Sequence, residues 1–438
     1  MRFRSILGAL LLSGASVVSL PAMAQTPTPP PTEAPAGFDT PVLATNPGSQ
    51  SFSNGIVEPP NDTYQHDQQV FELQHDASNG LGPVFNGRSC GECHTNPVSG
   101  GASQFTELRA GHLDQNGKFV AATVTINDGA ATIPLRSIID DLALGPEAQE
   151  HVPDAENIRA RRAVLPMLGD GFVEAIPEST LKAIAAAQPG QSFGFVRGQW
   201  VEVPVLEASG QMMIGRFGWK DQDPTVLSFA GDAYLNEMGV SNRLRPTDVT
   251  TVDKSTPDPE DVPDSIGLAN IDHFAQFIRG LKVPPRDATL MGTPDAQVGQ
   301  AIFERIGCAV CHVESFVTAP AGTVIVPPQA GAANGTDAYT VSDAIGNKII
   351  HPFGDYLLHD IGTGDGIVQG GPPNTINKLR TMPLWGLRVR SRFMHDHESL
   401  TLQSAIQRHS GEAILAQESF LSLSSQDQQR VITFLNSL

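Results

Sequence analysis

Cysteine is scarce in this chain, which has only four cysteines in 438 residues. All four belong to two motifs of the form C-x-x-C-H, in which a histidine directly follows a pair of cysteines. The two motifs are Cys90, Cys93, His94 and Cys308, Cys311, His312. No cysteine remains for a disulfide that would join distant parts of the fold.

Basic residues are also few. The chain has 28 of them against 47 acidic residues, so its formal net charge is −19. This balance argues against nucleic acid or an anionic lipid surface as a partner. Two interpretations of the acidity stay open: docking of a cationic partner protein, and solubility alone.

Long apolar runs are missing after the first residues. The N-terminal segment has Arg2 and Arg4 before a short apolar run, and it ends in the small-x-small pattern of Ala22–Ala24. This pattern predicts a signal peptide over residues 1–24 and therefore a periplasmic protein. The alternative, a membrane anchor, is disfavoured because the run is shorter than the roughly 20 residues of a spanning helix.

The rest of the chain divides by composition into three parts. Residues 25–60 are rich in proline and threonine, which predicts a flexible lead-in. Residues 61–285 and 286–438 each contain one cysteine motif. We interpret them as an N-terminal and a C-terminal haem domain, for the chemical reason given below.

Apolar spacing predicts helices around the second motif. Val298, Ile302 and Ile306 are spaced by four residues, which places them on one helical face before Gly307. An apolar stripe with helical spacing also closes the chain, formed by Val431, Phe434, Leu435 and Leu438. An entry helix, a C-x-x-C-H turn and a closing helix outline a cytochrome c domain. We therefore predict a mainly α fold of two cytochrome c-like haem domains, the first with a β-containing insertion.

The C-x-x-C-H pattern has a specific chemical meaning. Two thiols on one turn can each form a thioether to a haem vinyl group, and the adjacent histidine then becomes an axial ligand of the iron. The alternatives are a dithiol redox pair, which needs no following histidine, and a zinc site, which would require two distant motifs to converge. The pattern favours two covalently bound c-type haems, with His94 and His312 as iron ligands.

The sixth position of each iron decides the function. Two positions filled by side chains would make an electron carrier, whereas an open position would admit peroxide or oxygen. With 12 histidines in the chain, counting alone cannot assign the remaining ligands.

Several further motifs resemble those of one known family. The stretches are “FNGRSCGECH”, “GRFGWKDQDPT”, “NEMG”, “YLLHDIG”, “RTMPLWGL” and “FMHDHESLTLQSAIQRHSGEA”. Together they are similar to the di-haem c-type oxidoreductases related to bacterial cytochrome c peroxidases and MauG-type enzymes. The resemblance extends from about residue 60 to the C-terminus. In the better understood relatives, the N-terminal haem is the peroxide site and the C-terminal haem receives electrons.

This resemblance implies two catalytic residues. The peroxidases have a tryptophan between the haems and a catalytic glutamate about twenty residues later. Here Trp219 is followed after eighteen residues by Glu237. The resemblance therefore assigns electron coupling to Trp219 and proton handling during peroxide cleavage to Glu237, a role that suits a carboxyl group. A core tryptophan and a solvated helix glutamate are the structural alternatives.

The resemblance also implies the second axial ligands. Fourteen residues after His395, where the peroxidases have a methionine, this chain has His409. Two imidazoles, His312 and His409, would give the C-terminal haem a lower potential than a His/Met pair. His112 lies near the position of a displaceable histidine of the N-terminal haem in the peroxidases, and is a provisional ligand there.

Other residues have weaker implied roles. His359, His395 and Asp396 are expected beside a haem and not on the iron. Calcium is unsupported, because Arg390 and Arg392 occupy positions where the peroxidases have threonine and proline.

The leading hypothesis is an exported di-haem oxidoreductase that reduces hydrogen peroxide with electrons from a small redox protein, such as a cytochrome. One alternative is oxidation of an organic or protein substrate, as in MauG-type and oxygenase relatives. Another is a pure electron-transfer cytochrome with both irons closed. The sequence does not identify the donor or the true substrate.

Overall fold

The architecture comes from a computed structural model that describes residues 30–38, 50–254, 256–329 and 337–438. The expected signal peptide at 1–24 lies outside this part of the chain. Within it, the α-helices are α1 Tyr64–Glu72, α2 Cys90–Cys93, α3 Asp170–Glu174, α4 Glu178–Gln191, α5 Val226–Met238, α6 Asn270–Gly280, α7 Ala288–Met291, α8 Pro294–Arg305, α9 Leu402–Gln407, α10 Ile414–Ser422 and α11 Ser425–Leu435. None of them combines the length and the apolar character that crossing a bilayer would need.

Strands, most of them short, occur among the described residues from Thr32 to Arg380. In the described residues they are β1 Thr32–Glu33, β2 Val84–Phe85, β3 Thr106–Leu113, β4 Phe119–Ile126, β5 Ala131–Arg136, β6 Leu142–Ala143, β7 Ile158–Ala163, β8 Glu202–Pro204, β9 Met212–Ile214, β10 Phe316–Val317, β11 Val324–Val326, β12 Tyr339–Thr340, β13 Lys348–Ile350, β14 Leu358–His359 and β15 Leu379–Arg380. They form several small sheets, and β14 pairs with β15 beside the second motif.

The prediction of a mainly α fold of two cytochrome c-like domains is wrong. The structure is 30% helical and 17% strand. Its largest sheet is antiparallel, with the strand order β5-β4-β3-β7. The four strands come after the first motif and before α3 in sequence. The sheet could not be predicted from the sequence because β3 and β7 carry charged residues on an inward-facing side, where Glu107 lies opposite Arg162. Paired buried charges interrupt the alternation of apolar and polar residues by which strands are recognised.

The other face of this sheet has an apolar core. Its buried members are Ala110, Ala122, Val124, Ile126, Ile133 and Ile139. Successive side chains of a strand point to opposite faces, so β3 presents an apolar face on one side and a charged face on the other. The charged face is the one that matters for the site described below.

Helices α1, α5 and α6 enclose the first cysteine motif. Thr63 caps α1 by accepting a hydrogen bond from the backbone N–H of His66. Phe71 of α1 packs on Phe277 of α6, with ring centroids 4.7 Å apart, and lies 6.3 Å from the ring of His94. Burying aromatic surface in this way fixes the helix pair behind the motif.

Helices α8 and α11 cross beside the second motif. The predicted stripe on α11 is confirmed, since Val431, Phe434, Leu435 and Leu438 are all buried. On α8, however, Val298 is exposed, and Gly299 faces the partner helix. A Cβ atom at position 299 would lie 2.0 Å from the carbonyl oxygen of Arg430, so only glycine permits this close crossing.

The described residues from 31 onward form one compact unit. Part of the predicted flexible lead-in is anchored on it. Strand β1 pairs in parallel with β13, and the side-chain amide of Asn54 donates to the carbonyl oxygen of Arg279 at 2.7 Å. The division into domains at residues 285 and 286 stays a prediction.

Candidate functional site

The first motif is a single helical turn, α2, with its histidine at the end. Ser89 caps the turn by accepting a hydrogen bond from Glu92 N–H. The backbone N–H of His94 donates to the carbonyl oxygen of Cys90 at 2.9 Å. The imidazole Nδ1 of His94 lies 3.2 Å from the carbonyl oxygen of Gly101. A carbonyl only accepts, so Nδ1 is the donor and Nε2 keeps the lone pair that a metal needs.

The second motif repeats this arrangement. Gly307 has φ +95° and turns the chain out of α8. The backbone N–H of His312 donates to Cys308 O at 3.0 Å, and its Nδ1 donates to the carbonyl oxygen of Phe353 at 2.9 Å. Burial lowers the pKa of both motif histidines, His94 and His312, to about 4, so both imidazoles are neutral at pH 7. A neutral, oriented imidazole is the form that binds iron.

The cysteines are poorly suited to dithiol chemistry. None of the four is in a disulfide. Burial raises the pKa of the Cys90, Cys93 and Cys308 thiols to about 12 in each case, whereas redox-active thiols have lowered values. Cys90 and Cys308 also pack against different apolar clusters. A zinc site made by the two motifs together therefore has no support.

A cavity of about 1180 Å³ opens over the second motif. Among the residues that line it are Cys308, Cys311, His312, Trp219, His395 and His409. His409 lies two residues beyond the end of α9, and its Nδ1 donates to the carbonyl oxygen of Ala405 at 2.8 Å, so that Nε2 keeps its lone pair. The space, the two thiols and the two available imidazole nitrogens fit a haem with histidine on both faces of its iron.

Trp219 is buried at the wall of this cavity. Its indole Nε1 donates to the carbonyl oxygen of Ala163 at 2.8 Å, and its ring lies 6.1 Å from the ring of His395. The same cavity is lined by Thr95 and Asn96, which directly follow His94. Trp219 therefore shares one cavity with the histidine of the second motif and with the residues that follow the first.

Glu237 lies at the end of α5, beside the first motif. Its backbone carbonyl accepts from the backbone N–H of Asn86 at 2.7 Å, and the side-chain amide of Asn86 reaches its Oε2 at 3.4 Å. Burial and then the Glu237 carboxyl raise the pKa of the Cys93 thiol. The carboxyl group is therefore near the thioether-forming side of the turn.

Glu107 and Arg109, on the charged face of β3, complete this cluster and were not identified from the sequence. Arg109 donates from Nη2 to both carboxylate oxygens of Glu107, at 2.9 and 3.0 Å. Burial, followed by the charge of Glu107, raises the pKa of Glu237 well above its ordinary value. Glu107 is partly buried, but the charge of Arg109 lowers its pKa. Of the two carboxyl groups, Glu237 is therefore the one that holds a proton to higher pH, and it shares a hydrogen bond with Glu107. The sequence signal that could have revealed this cluster is the spacing Glu-x-Arg, which places Glu107 and Arg109 on the same face of a strand.

His112 has a different environment. It is on β3, three residues beyond Arg109 and on the opposite face of the sheet, where its Nδ1 lies 2.7 Å from Glu156 Oε2. Glu156 also accepts from the backbone N–H of Thr123. The structure pairs His112 with this carboxylate, and its role as a ligand at the N-terminal haem stays a prediction.

His359 and His395 lie beside the second motif, as the resemblance implies. Both ring nitrogens of His359 contact carboxylates. Nε2 lies 2.8 Å from Asp355 Oδ2, and Nδ1 lies 3.0 Å from Glu412 Oε2. His395 Nε2 lies 3.9 Å from Asp396, which is itself bound by Arg408 at 3.0 Å.

One comparison with known proteins, a family model, agrees with this chemistry. A family model described as “Di-haem oxidoreductase, putative peroxidase” matches residues 150–438, about two thirds of the chain. No curated protein matches the chain. One solved structure that resembles it is hydrazine synthase of Kuenenia stuttgartiensis, pressurized with xenon, at 13% identity and a TM-score of 0.36 over 97% of this chain and 100% of that one. That likeness is too weak to bear on fold or function.

Proposed function

Because the chain belongs to the di-haem oxidoreductase family, we propose that it is an exported protein with two covalently bound c-type haems. In this proposal it reduces hydrogen peroxide in the periplasm with electrons from a small redox protein. The cysteines and histidines of the two motifs would hold the haems, and His409 would be the second axial ligand at the C-terminal motif. The haems would supply iron that changes charge by single electrons and, where one position is open, binds peroxide.

One observation carries the proposal: the two motifs face different side chains. His312 shares its cavity with a second imidazole, that of His409. Beside the first motif lies a partly buried carboxyl group, that of Glu237. An imidazole on each face closes an iron to small molecules, whereas a protonated carboxyl serves a substrate that must receive protons. The N-terminal motif is therefore assigned to chemistry and the C-terminal motif to electron entry.

Glu237 is well suited to proton transfer. Cleaving the O–O bond requires a proton to move from one peroxide oxygen to the other, and the departing oxygen leaves as water. A carboxyl group that is kept neutral by burial can deliver a proton and can take one back. Glu107 accepts the hydrogen bond from Glu237 and thereby fixes the direction in which the carboxyl points, while Arg109 keeps Glu107 charged.

Trp219 is proposed to couple the two motifs electronically. It is buried and shares a cavity with His312 and with the residues that follow His94. An aromatic side chain between two redox sites shortens the gap that an electron must cross. The net charge of −19 supports a basic electron donor that docks by charge attraction.

The test is peroxide turnover by the full-length holoprotein with a reduced small cytochrome as donor. Glu237→Gln keeps the shape of the side chain but removes its acid–base function. We expect unchanged haem spectra and turnover lower by about 100-fold or more, the usual contribution of a positioned acid–base group. Glu202→Gln, at an exposed position on β8, is the control and should behave as wild type.

Two results would contradict the proposal. Full activity of Glu237→Gln would remove the assigned role of that carboxyl group. Consumption of peroxide with oxidation of an added organic substrate, and without oxidation of two donor molecules per peroxide, would favour the MauG-type alternative.

A further inference from the structure

A second cluster of metal-binding side chains lies away from both cysteine motifs. It joins the start of α1 to α6 and consists of Asp62, His66, Asp67 and His273. His273 Nδ1 is 2.6 Å from Asp67 Oδ1 and 3.3 Å from Asp62 Oδ2, and His66 Nδ1 is 2.8 Å from Asp62 Oδ1. One potential ligand atom from each of the four residues lies within 4.8 Å of all the others.

The cluster has buried polar atoms without hydrogen-bond partners. The side chains of Asp62 and Asp67 are 0% exposed and that of His273 is 1% exposed. Even so, Asp62 Oδ2, Asp67 Oδ2 and Oε1 of the adjacent Glu58 make no hydrogen bond. His273 Nε2 makes none either, since its nearest carboxylate oxygen, Asp264 Oδ2, lies at 3.5 Å. Such atoms cost free energy when buried, so several of them in one cluster indicate a missing partner.

The charges are also out of balance. Four carboxyl groups, those of Glu58, Asp62, Asp67 and Asp264, face two imidazoles, those of His66 and His273. A divalent cation among them would offset this excess of acidic groups.

We propose that Asp62, His66, Asp67 and His273 bind one divalent transition-metal ion of the zinc type, with Glu58 at the edge of the site.

The spacing and the donor types suit such an ion. Bonds of about 2.0–2.1 Å in a tetrahedral site place ligand atoms about 3.3 Å apart. The contact of 3.3 Å in the cluster already matches this spacing, those of 2.6 and 2.8 Å need only a small expansion, and the remaining pairs lie within 4.8 Å. Two imidazoles together with two carboxylates favour zinc and its neighbours over calcium or magnesium, which prefer oxygen ligands only.

The position of the site indicates a structural role. Asp67 is one helical turn before Phe71, whose ring lies 6.3 Å from that of His94 and 4.7 Å from that of Phe277. A metal ion that links α1 to α6 would therefore fix the helix pair that backs the first motif. The cluster touches neither motif, so this site is independent of the peroxide chemistry proposed above.

The experiment uses the full-length holoprotein without an affinity tag. The protein is treated with a chelator, which leaves thioether-bound haem in place, and is then titrated with Zn²⁺ alone by calorimetry. Zinc content relative to haem iron is measured by elemental analysis. His66→Asn removes one ligand from a side chain that is 42% exposed, so the fold should tolerate it. His273→Asn removes a buried ligand.

The control is His351→Asn. His351 is also a partly exposed histidine paired with a carboxylate, Glu33 at 3.1 Å, but it lies outside the cluster. We expect one Zn²⁺ per chain and a rise in Tm with Zn²⁺ for wild type and His351→Asn. His66→Asn should bind Zn²⁺ at least about 100-fold more weakly, since even outer-sphere partners contribute 10- to 100-fold.

Absence of a 1:1 Zn²⁺ complex in the wild type would overturn the proposal, as would equal affinity in wild type and His66→Asn. Preferential binding of Ca²⁺ over Zn²⁺ would overturn the assigned class of ion. If His273→Asn does not fold, His66→Asn alone decides between these results.

Discussion

The indole of Trp219 lies edge-on to the imidazole of His395, with ring centroids 6.1 Å apart. The two residues are also joined through Ala163. The carbonyl oxygen of Ala163 accepts a hydrogen bond from Trp219 Nε1 at 2.8 Å. The backbone N–H of Ala163 donates to the carbonyl oxygen of His395 at 2.6 Å. Strand β7, which ends at Ala163, thus holds both rings at the wall of the cavity over the second motif.

This arrangement predicts the effect of Trp219→Phe. The substitution removes the hydrogen bond to Ala163 and the larger ring, so electron transfer between the motifs should slow. We expect peroxide turnover lower by about tenfold, equivalent to about 1.4 kcal/mol in barrier height. Stopped-flow absorption of the holoprotein would measure this rate. Trp385→Phe, at another buried tryptophan, is the control, and an equal loss in both variants would mean that the effect is only structural.

The assignment of His409 predicts a change in redox potential. His409→Met replaces an imidazole with a thioether, which stabilises reduced iron, so the midpoint potential of one haem should rise. A spectroelectrochemical titration of wild type and variant would measure it. Identical potentials for both haems in the two proteins would show that His409 does not ligate iron.

His359 predicts a dependence of stability on pH. The His359 side chain is 2% exposed, and this burial disfavours the charged imidazolium. Asp355 and the other neighbours outweigh the effect of burial and raise the pKa of His359 well above the ordinary value of 6.5. Above pH 6.5 the unfolded chain releases this proton and the native protein keeps it. The free energy of unfolding should therefore fall as pH rises, by about 1.4 kcal/mol per pH unit until the native pKa is reached.

His359→Gln should flatten this slope. Urea unfolding of the holoprotein between pH 7 and pH 9 would measure it, with His351→Gln, at a partly exposed histidine, as the control. The same slope in wild type and His359→Gln would show that another group carries the pH dependence.

Local patterns in the sequence were sufficient for the motifs and for the closing helix. The C-x-x-C-H turns and the buried stripe of α11 follow from residue spacing within one element. The buried face of α8 was predicted less well. Ile302 is buried, but Val298 is exposed because the contact with α11 is made by Gly299, which has no apolar side chain to reveal it.

The fold and the charged cluster required long-range information. Glu107 and Glu237 are 130 positions apart in sequence, and only the pairing of β3 with β7 and the placement of α5 bring them together. The same is true of His66 and His273, whose rings lie 4.8 Å apart across the α1–α6 contact. Charged residues that pair with each other when buried look like surface residues in the sequence, which is why both clusters were missed.

The most direct test of the account is the electron paramagnetic resonance spectrum of the purified holoprotein, first fully oxidised and then reduced by one electron per chain. We expect a high-spin ferric signal in at least one of the two states, from a haem at Cys90, Cys93 and His94 that is open to small ligands. We also expect a low-spin signal from the His312–His409 site when oxidised. Only low-spin signals in both states would contradict the account, because two closed irons cannot bind peroxide and the protein would then be an electron carrier.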